Sequence, residues 1–318
     1  MKILIHIPSN VFTGGSEALH QLCDALSEDF ETYVCYFNDS GCDIPKKFKI
    51  YNVKKSDYFD NPKTIHIVPE TAIKYFYDKI SKGVKVIYWL SVDNYLGLKD
   101  YNPFFKILRY LKTFKKRLSV NKLNNCYHLS QSEYSSLFLK KKGISSYFIG
   151  DYTRDDYFNV DIKHSNKQNI IIYNPRKGFR FTKKIIDQCK YKFIPLKNMS
   201  NNEIIELMKI SKIYIDFGRF PGKDRIPREA VLLDNIIIIG KRGAGINEID
   251  FPIPENFKIN TNNFNFQKTA IEAIRSSLDN YSNEINKFEK FKNIINLEQN
   301  SFRSKTKASI KDIISKFQ

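Results

Sequence analysis

The sequence predicts an α/β protein made of two Rossmann-like domains, each built around a doubly wound parallel sheet. Short apolar runs rich in β-branched residues alternate with amphipathic helical stretches, which is typical of parallel sheets. This alternation occurs in two sets, separated between Gly150 and Asn169 by a polar stretch without periodicity. The chain has 318 residues, of which 42% are hydrophobic, and this suffices for two domains with buried cores.

The first set of elements predicts an N-terminal domain over residues 1–155. Lys2–Ile7 is its first strand, and an amphipathic helix begins at Gly14 and Gly15 and runs to about Glu28. Glycines at such a turn let the backbone approach a ligand, although a plain tight turn has the same sequence. The further strands are predicted at Thr32–Phe37, Lys49–Val53, Thr64–Val68, Val84–Leu90 and Tyr127–Leu129, and the further helices at Thr71–Ser81, Pro103–Val120 and Glu133–Lys142.

The second set predicts a C-terminal domain over residues 165–300, followed by a helix within residues 301–318. Lys305–Phe317 is the candidate for that last helix. The strands of this domain are predicted at Ile170–Tyr173, Lys192–Leu196, Ile213–Phe217 and Asn235–Gly240, and its first two helices at Thr182–Lys190 and Asn201–Lys209.

The loop between the last two of these strands carries the strongest chemical signal, and it reads PGKDRIPRE. Asp224 is placed to cap the helix that follows, and Pro227 is tolerated in its first turn. A helix N-terminus beyond the carboxyl ends of parallel strands attracts anions, so the basic residues there predict a phosphate-bearing ligand. Glu229 lies one turn after Arg225 and can accept hydrogen bonds from sugar hydroxyls. The basic residues of this loop and helix are Arg219, Lys223, Arg225 and Arg228.

A second basic loop, NPRKGF, follows the first strand of the C-terminal domain. Arg176 offers a planar fork and Lys177 a mobile point charge, and both suit a pyrophosphate. A solvated basic loop without a ligand has the same composition, so that alternative stays open.

The segment from Ile213 to Ile249 resembles the donor-binding segment of GT-B glycosyltransferases, closest to glycosyltransferase family 4. The matching residues are Glu229-Ala230 on a helix, the strand Ile236–Gly240, the turn Gly243-Ala244-Gly245, and Glu248. The family usually carries a second glutamate eight positions earlier, where this chain has Pro221. The loop that holds the donor sugar therefore differs from the family pattern.

The resemblance implies two Rossmann-like domains facing a cleft, with a final helix crossing back to the first domain. It implies a glycosyltransferase that moves a sugar from a nucleotide-diphosphate sugar to a cell-surface glycan or lipid-linked acceptor, with retention of configuration. Glu229 is then a catalytic candidate. The donor-binding residues implied by the resemblance and by the basic loops are Gly14, Gly15, Arg176, Lys177, Lys223, Arg225, Glu229, Gly243 and Gly245.

Asp93 follows the strand Val84–Leu90 and is a second catalytic candidate. In the family, the equivalent strand end often carries a histidine or an acid near the reacting sugar, so Asp93 is placed to position or deprotonate an acceptor hydroxyl. A residue that closes a turn is an equally good reading. Glu70, at another strand end, reads either as a helix cap or as a residue facing the cleft.

The sequence offers no motif for a metal or a cofactor. No DxD pair occurs, which argues against metal-dependent GT-A enzymes, and neither GxGxxG nor a P-loop is present. The five cysteines are scattered and predict neither a disulfide framework nor a zinc site. We therefore expect a nucleotide sugar as substrate, with no cofactor and no metal.

The net charge of +18 implies an anionic partner, although a generally basic, solvated surface would give the same charge. No nucleic-acid module is recognisable, which leaves phosphorylated substrates and an anionic membrane surface. Pro103–Val120 has an apolar stripe flanked by lysine and arginine, which is typical of an interfacial helix and equally of a core helix with a solvated basic face. We expect a cytoplasmic protein that contacts the inner face of the membrane.

Two classes of function remain open at this point. The first is the enzyme described above. The second is a non-catalytic GT-B-like subunit that binds a nucleotide sugar or glycan and scaffolds a partner. Binding of nucleotide without turnover distinguishes the second class from the first.

Overall fold

The computed structural model describes residues 1–39, 41–98, 108, 111, 114 and 117–317. The chain divides into two compact units. Unit one comprises Met1–Tyr152 together with Glu298–Gln318, and unit two comprises Thr153–Leu297.

Unit one is built on a six-stranded, fully parallel sheet with the strand order β2-β1-β3-β4-β5-β6. Its central strands are buried on both faces, because helices and loops cover each side of a parallel sheet. The strands are β1 Lys2–Pro8, β2 Glu31–Phe37, β3 Thr64–Pro69, β4 Val84–Trp89, β5 Tyr127–Ser130 and β6 Tyr147–Phe148. The described helices between them are α1 Gly14–Ser27, α2 Ile73–Lys79, α3 Val92–Tyr95, α4 Val120–Asn124 and α5 Glu133–Lys140.

Unit two is built on a five-stranded, fully parallel sheet with the order β11-β10-β9-β7-β8. Its strands are β7 Gln168–Tyr173, β8 Lys192–Pro195, β9 Ser211–Asp216, β10 Ile236–Gly240 and β11 Lys258–Ile259. Its helices are α6 Phe179–Ile186, α7 Asn201–Ile210, α8 Arg225–Leu232, α9 Phe266–Asp279 and α10 Tyr281–Ile285. The long helix α11, Glu289–Phe317, begins in this unit.

From Glu298 onward, α11 belongs to unit one. Phe302, Ile310 and Ile313 are buried in the same hydrophobic core as the side chains of β1 and α1. Arg303 donates to Asp24 of α1 over 2.5 Å, which adds an ion pair to this contact. The last helix is therefore an integral part of the core of unit one.

Both sheets have the same topology, which fixes where a ligand site is expected. In each, the second strand along the chain lies outside the first, and the third lies on the first strand's other side. The chain thus reverses direction between β1 and β3 in unit one, and between β7 and β9 in unit two. Doubly wound sheets bind ligands beyond the carboxyl ends of the strands at this switch point.

Three predicted elements differ from the structure. The final helix begins at Glu289, sixteen residues before the predicted Lys305. Lys49–Val53 is not a strand; the chain forms a 3₁₀ turn at Lys46–Phe48 and only an isolated bridge at Lys55. In a strand Phe48 and Ile50 would share a face, but Phe48 is 1% exposed and Ile50 is 63% exposed. Helix α6 begins three residues before the predicted Thr182, because Gly178 in the left-handed conformation (φ 60°) forms its N-cap. Most of the helix predicted at Pro103–Val120 lies outside the described residues.

Candidate functional site

The loops that follow β7 and β9 meet at the switch point of unit two. A Cβ built on Gly178 would lie 2.4 Å from the backbone nitrogen of Gly218, closer than any side chain tolerates. The two loops therefore pack backbone against backbone, and glycine is needed at that contact. This close approach brings the basic loop after β7 next to the basic loop after β9.

A third loop, the one after β10, packs against the same region. Phe220 forms a β-bridge with Gly243 and accepts a hydrogen bond from the Ala244 N–H over 2.8 Å. Gly243 has a φ of 62°, and a Cβ there would lie 2.1 Å from the carbonyl oxygen of Phe220. The predicted Gly243 and Gly245 therefore hold this turn against the loop that carries Lys223 and Arg225.

Lys177 is the cation that links the first two loops. Its ammonium forms an ion pair with Asp224, and the two side chains are 30% and 27% exposed. Arg176, one residue earlier, is exposed, and its backbone N–H donates to the side chain of Asn174 over 3.0 Å. Of the two basic residues predicted in this loop, Lys177 makes the contact with the second loop.

Asp224 occupies the N-cap position of α8, as the sequence predicts, but its side chain makes no capping hydrogen bond. The reason lies in Pro227, which is the third residue of the helix and has no N–H to donate. The third residue is a usual capping donor, so the carboxylate of Asp224 lacks that partner. It pairs with Lys177 across the loop instead.

Arg228 has a structural role that its sequence position does not reveal. The side chain is fully buried, and its Nε and Nη2 donate to the carbonyl oxygens of Asp224 and Lys223 over 3.2 and 3.3 Å. It thereby holds the backbone of the loop that enters α8. Lys223 and Arg225 on that loop are buried and half-buried, respectively.

Glu229 projects from the second turn of α8 and is 9% exposed. It interacts with the hydroxyl of Tyr157, whose proton is directed to the Asn201 Oδ1 over 2.8 Å. Burial, followed by the charge and hydrogen bond of Glu229, raises the pKa of Tyr157. The predicted Glu229 is thus oriented by a tyrosine that sequence reasoning had not singled out.

Asp216, the last residue of β9, is a further acid of this site that the sequence analysis missed. It is 1% exposed and accepts hydrogen bonds from the Gly218 N–H (2.8 Å) and the Tyr214 hydroxyl (3.1 Å). Burial raises the pKa of its carboxyl to about 7, against the opposing charge of Lys177. The signal that could have identified Asp216 in the sequence is an acidic residue at the end of an otherwise apolar run.

Comparison with known proteins identifies the fold. No protein-family profile matches the chain, and no curated protein matches it in sequence. Anabaena Alr3699/HepE, solved in complex with UDP and glucose, superposes with a TM-score of 0.68 at 12% identity over 99% of this chain and 100% of that one. The chain has the GT-B glycosyltransferase fold.

Two more solved structures agree with this assignment. Sucrose-phosphate synthase from Thermosynechococcus elongatus gives a TM-score of 0.61 at 9% identity, covering 96% of this chain and 94% of that one. An E. coli trehalose-6-phosphate structure bound with UDP-2-fluoro glucose gives 0.65 at 8% identity, covering 98% of both chains. At these identities the likeness establishes the GT-B fold and not the activity.

The remaining predicted residues lie in unit one of the GT-B chain. Helix α1 begins at Gly14, and the hydroxyl of its N-cap Thr13 accepts from the Ser16 N–H over 3.4 Å. A Cβ on Gly15 would make only ordinary contacts at 3.7 Å, so packing within unit one does not demand glycine there. The structure thus groups seven of the predicted donor-binding residues in unit two and Gly14 and Gly15 in unit one.

Asp93 lies in the first turn of α3 and is 1% exposed. Its Oδ1 accepts a hydrogen bond from the Tyr134 hydroxyl over 2.9 Å. A carboxylate in this position braces α3 against α5, and it needs a rearrangement to reach an acceptor hydroxyl. Its assignment as a catalytic residue stays a prediction.

Glu70 is the buried acid at the switch point of unit one. It follows β3, and its Oε2 accepts from the Leu90 N–H, just after β4, over 2.9 Å. Burial raises the pKa of this carboxyl to about 8. Glu70 therefore does not cap α2, and its buried carboxyl ties the ends of β3 and β4 together.

Among the described residues, no three histidine, cysteine, aspartate or glutamate side chains are grouped as a metal site would require. Nor does any described helix have the length and apolar character needed to span a membrane.

Proposed function

We propose that this protein is a glycosyltransferase that takes its sugar from a nucleoside-diphosphate sugar bound at the switch point of unit two. The observation that carries the proposal is the convergence of three glycine-packed loops beyond β7, β9 and β10. They bring Lys177, Lys223 and Arg225 to the N-terminus of α8. Helix N–H groups and fixed cations are the usual means of binding a diphosphate.

The same residues are suited to the chemistry of transfer. As the bond between the sugar and the diphosphate breaks, negative charge grows on the departing diphosphate. Cations and N–H groups fixed around it are therefore worth more in the transition state than in the ground state. Lys177, Arg225 and the start of α8 would supply this stabilisation without a metal ion.

Glu229 has a different role in this proposal. Its carboxyl oxygens are acceptors suited to a ribose or sugar hydroxyl. Tyr157 interacts with that carboxyl group, and Asn201 in turn holds the Tyr157 hydroxyl. The Glu229 match to family 4 supports retention of configuration in the proposed reaction.

The proposed acceptor is a cell-surface glycan or lipid-linked sugar, with the protein on an anionic membrane surface. Exposed apolar side chains next to lysines support membrane contact. Leu111 and Phe114, in the basic stretch Pro103–Val120, are 57% and 62% exposed. Ile50 is exposed as well, in the segment Pro45–Lys55, which holds five lysines and no acid. Phe12 is also exposed, and its ring stacks on Phe48 of that segment with the ring centroids 6.3 Å apart.

A nucleotide-sugar panel tests the proposal. UDP-, GDP- and ADP-sugars are screened by thermal shift, and the stabilising donor is then assayed for transfer and hydrolysis with and without a chelator. A ligand at 100 times its dissociation constant raises the free energy of unfolding by about 2.7 kcal/mol. Binding without turnover would favour the non-catalytic subunit, and loss of binding on chelation would refute the metal-free part.

A further inference from the structure

Lys177 faces two acids, Asp216 at the end of β9 and Asp224 in the loop that follows that strand. Its ammonium pairs with Asp224, and its charge also acts on the buried carboxyl of Asp216. Gly218 fixes this arrangement: a Cβ built on it would lie 2.6 Å from the Lys177 Cβ and 2.8 Å from the Asp216 Oδ1. One lysine from the β7 loop is therefore shared between two carboxyl groups of the β9 segment.

The two acids differ in how well they tolerate losing the lysine. Asp224 is 27% exposed and can be hydrated, whereas Asp216 is 1% exposed and cannot. Pro227 removes the usual capping donor for Asp224, so its carboxylate has no strong alternative partner within α8. Lys177 is the one cation whose ion pair ties Asp224 to the neighbouring loop among the described contacts.

We propose that Asp224 is a positioning residue that competes with the diphosphate of the bound donor for Lys177. The inference rests on the proposed function, because it takes a diphosphate as the ligand of these loops. A carboxylate and a phosphate offer the same kind of acceptor oxygen to an ammonium group. Asp224 holds Lys177 over the site, and the diphosphate displaces it.

Displacement of Asp224 from Lys177 by the diphosphate should change the protonation of Asp216. The groups that face the Asp216 carboxyl are Lys177, Asp224, the Tyr214 hydroxyl and the Gly218 N–H. Lys177 lowers the pKa of this carboxyl, so moving the lysine onto the diphosphate raises it above its present value of about 7. At pH 7.5 Asp216 then takes up a fraction of a proton from solvent as the diphosphate binds.

The test is a double-mutant cycle of Lys177→Met and Asp224→Asn, measured by calorimetric titration with UDP and with inorganic pyrophosphate. Competition predicts that Asp224→Asn tightens binding about two- to fivefold, the range expected for a partly exposed ion pair. It also predicts that this gain disappears in the Lys177→Met background, where there is no lysine to release. Asp187→Asn is the matched control, because Asp187 pairs with Lys183 on an exposed face of the same unit.

A second readout separates competition from simple charge repulsion. Titrations of the wild type in HEPES and in Tris give the number of protons taken up, and Asp216→Asn should abolish that uptake while binding persists. A gain from Asp224→Asn that survives in Lys177→Met would overturn the inference, because repulsion alone would then explain it. Absence of proton uptake would overturn the coupling to Asp216. If neither UDP nor pyrophosphate binds the wild type, the proposed function falls too.

Discussion

Replacing Lys167 by methionine should destabilise unit two while leaving unit one intact. Lys167 is buried, and its Nζ donates to the carbonyl oxygens of Met208, Ser211 and Leu233 over 2.9, 2.8 and 2.6 Å. Three acceptors need the three donors of an ammonium group. Burial lowers the pKa of Lys167 to about 7, so measurements at pH 6 keep the lysine charged in the native state.

The magnitude follows from what remains after the substitution. Asn235 also donates to the Met208 and Ser211 carbonyl oxygens, over 3.1 and 2.5 Å, so these two keep a partner. The Leu233 carbonyl loses the lysine donor, and a buried acceptor left without a partner costs about 1–3 kcal/mol. The lost charge near the ends of α7 and α8 adds about 0.3–1 kcal/mol for each helix. We expect a total loss of about 2–5 kcal/mol.

Two probes distinguish the units in this experiment. The single tryptophan, Trp89, lies in β4 of unit one, so its fluorescence during urea unfolding reports that unit. Hydrogen exchange of peptides from β9 and β10 reports unit two. The control is Lys209→Met, which removes a surface lysine from α7 whose partner is Glu206. A Lys167→Met protein with exchange rates in β9 and β10 equal to those of the control would refute this reasoning.

Three further predictions concern the acids, the donor site and the membrane. Glu70→Gln should flatten the pH dependence of unit-one stability between about pH 4.5 and 8. In that range the native wild type retains a proton on Glu70 that the unfolded chain releases. The free energy of unfolding of the wild type therefore falls as the pH rises, by at most about 4–5 kcal/mol. Urea titrations across that range check it, and parallel curves would contradict it. Steady-state kinetics should show that Arg225→Ala lowers turnover about 10²–10³-fold, whereas Glu229→Gln mainly raises the Michaelis constant. Wild-type rates in both variants would show that neither residue belongs to the donor site. Leu111→Ser with Phe114→Ser should weaken salt-sensitive sedimentation with phosphatidylglycerol vesicles, and equal binding to neutral vesicles would argue against an electrostatic membrane contact.

The sequence predicted the strands better than the chemistry of the loops. Parallel strands such as Ile236–Gly240 are apolar on both faces, so a run of β-branched residues locates them without knowledge of their neighbours. The prediction of a strand at Lys49–Val53 was wrong, because a short apolar pattern at a sheet edge does not show whether its backbone hydrogen bonds are made to a neighbouring strand or within a turn. The fold class could be predicted because the spacing of apolar residues along each segment distinguishes helices from strands.

Only the outline of the site could be predicted, because the local sequence does not show which side chains of two different loops contact each other. Lys177 and Arg228 are both basic residues in predicted phosphate-binding segments. One pairs with a carboxylate of the neighbouring loop, and the other is buried beneath it against backbone carbonyls. Tyr157 lies far from the motifs in sequence, and Asp216 lies within the Ile213–Ile249 segment but matches no motif residue. Asp216 nevertheless affects the environment of Lys177, and Tyr157 that of Glu229.

The path of α11 has a consequence for how the protein is made. The core of unit one includes Phe302, Ile310 and Ile313, which are synthesised after every residue of unit two. Unit two is contiguous in sequence, so it can complete its fold while the ribosome is still translating. Unit one cannot complete its hydrophobic core until the residues of α11 have left the ribosome, so the apolar side chains that pack against α11 stay exposed until then. Truncations that remove Phe302, Ile310 and Ile313 are therefore expected to cause aggregation through unit one, although the larger part of that unit, Met1–Tyr152, lies far from the cut in sequence.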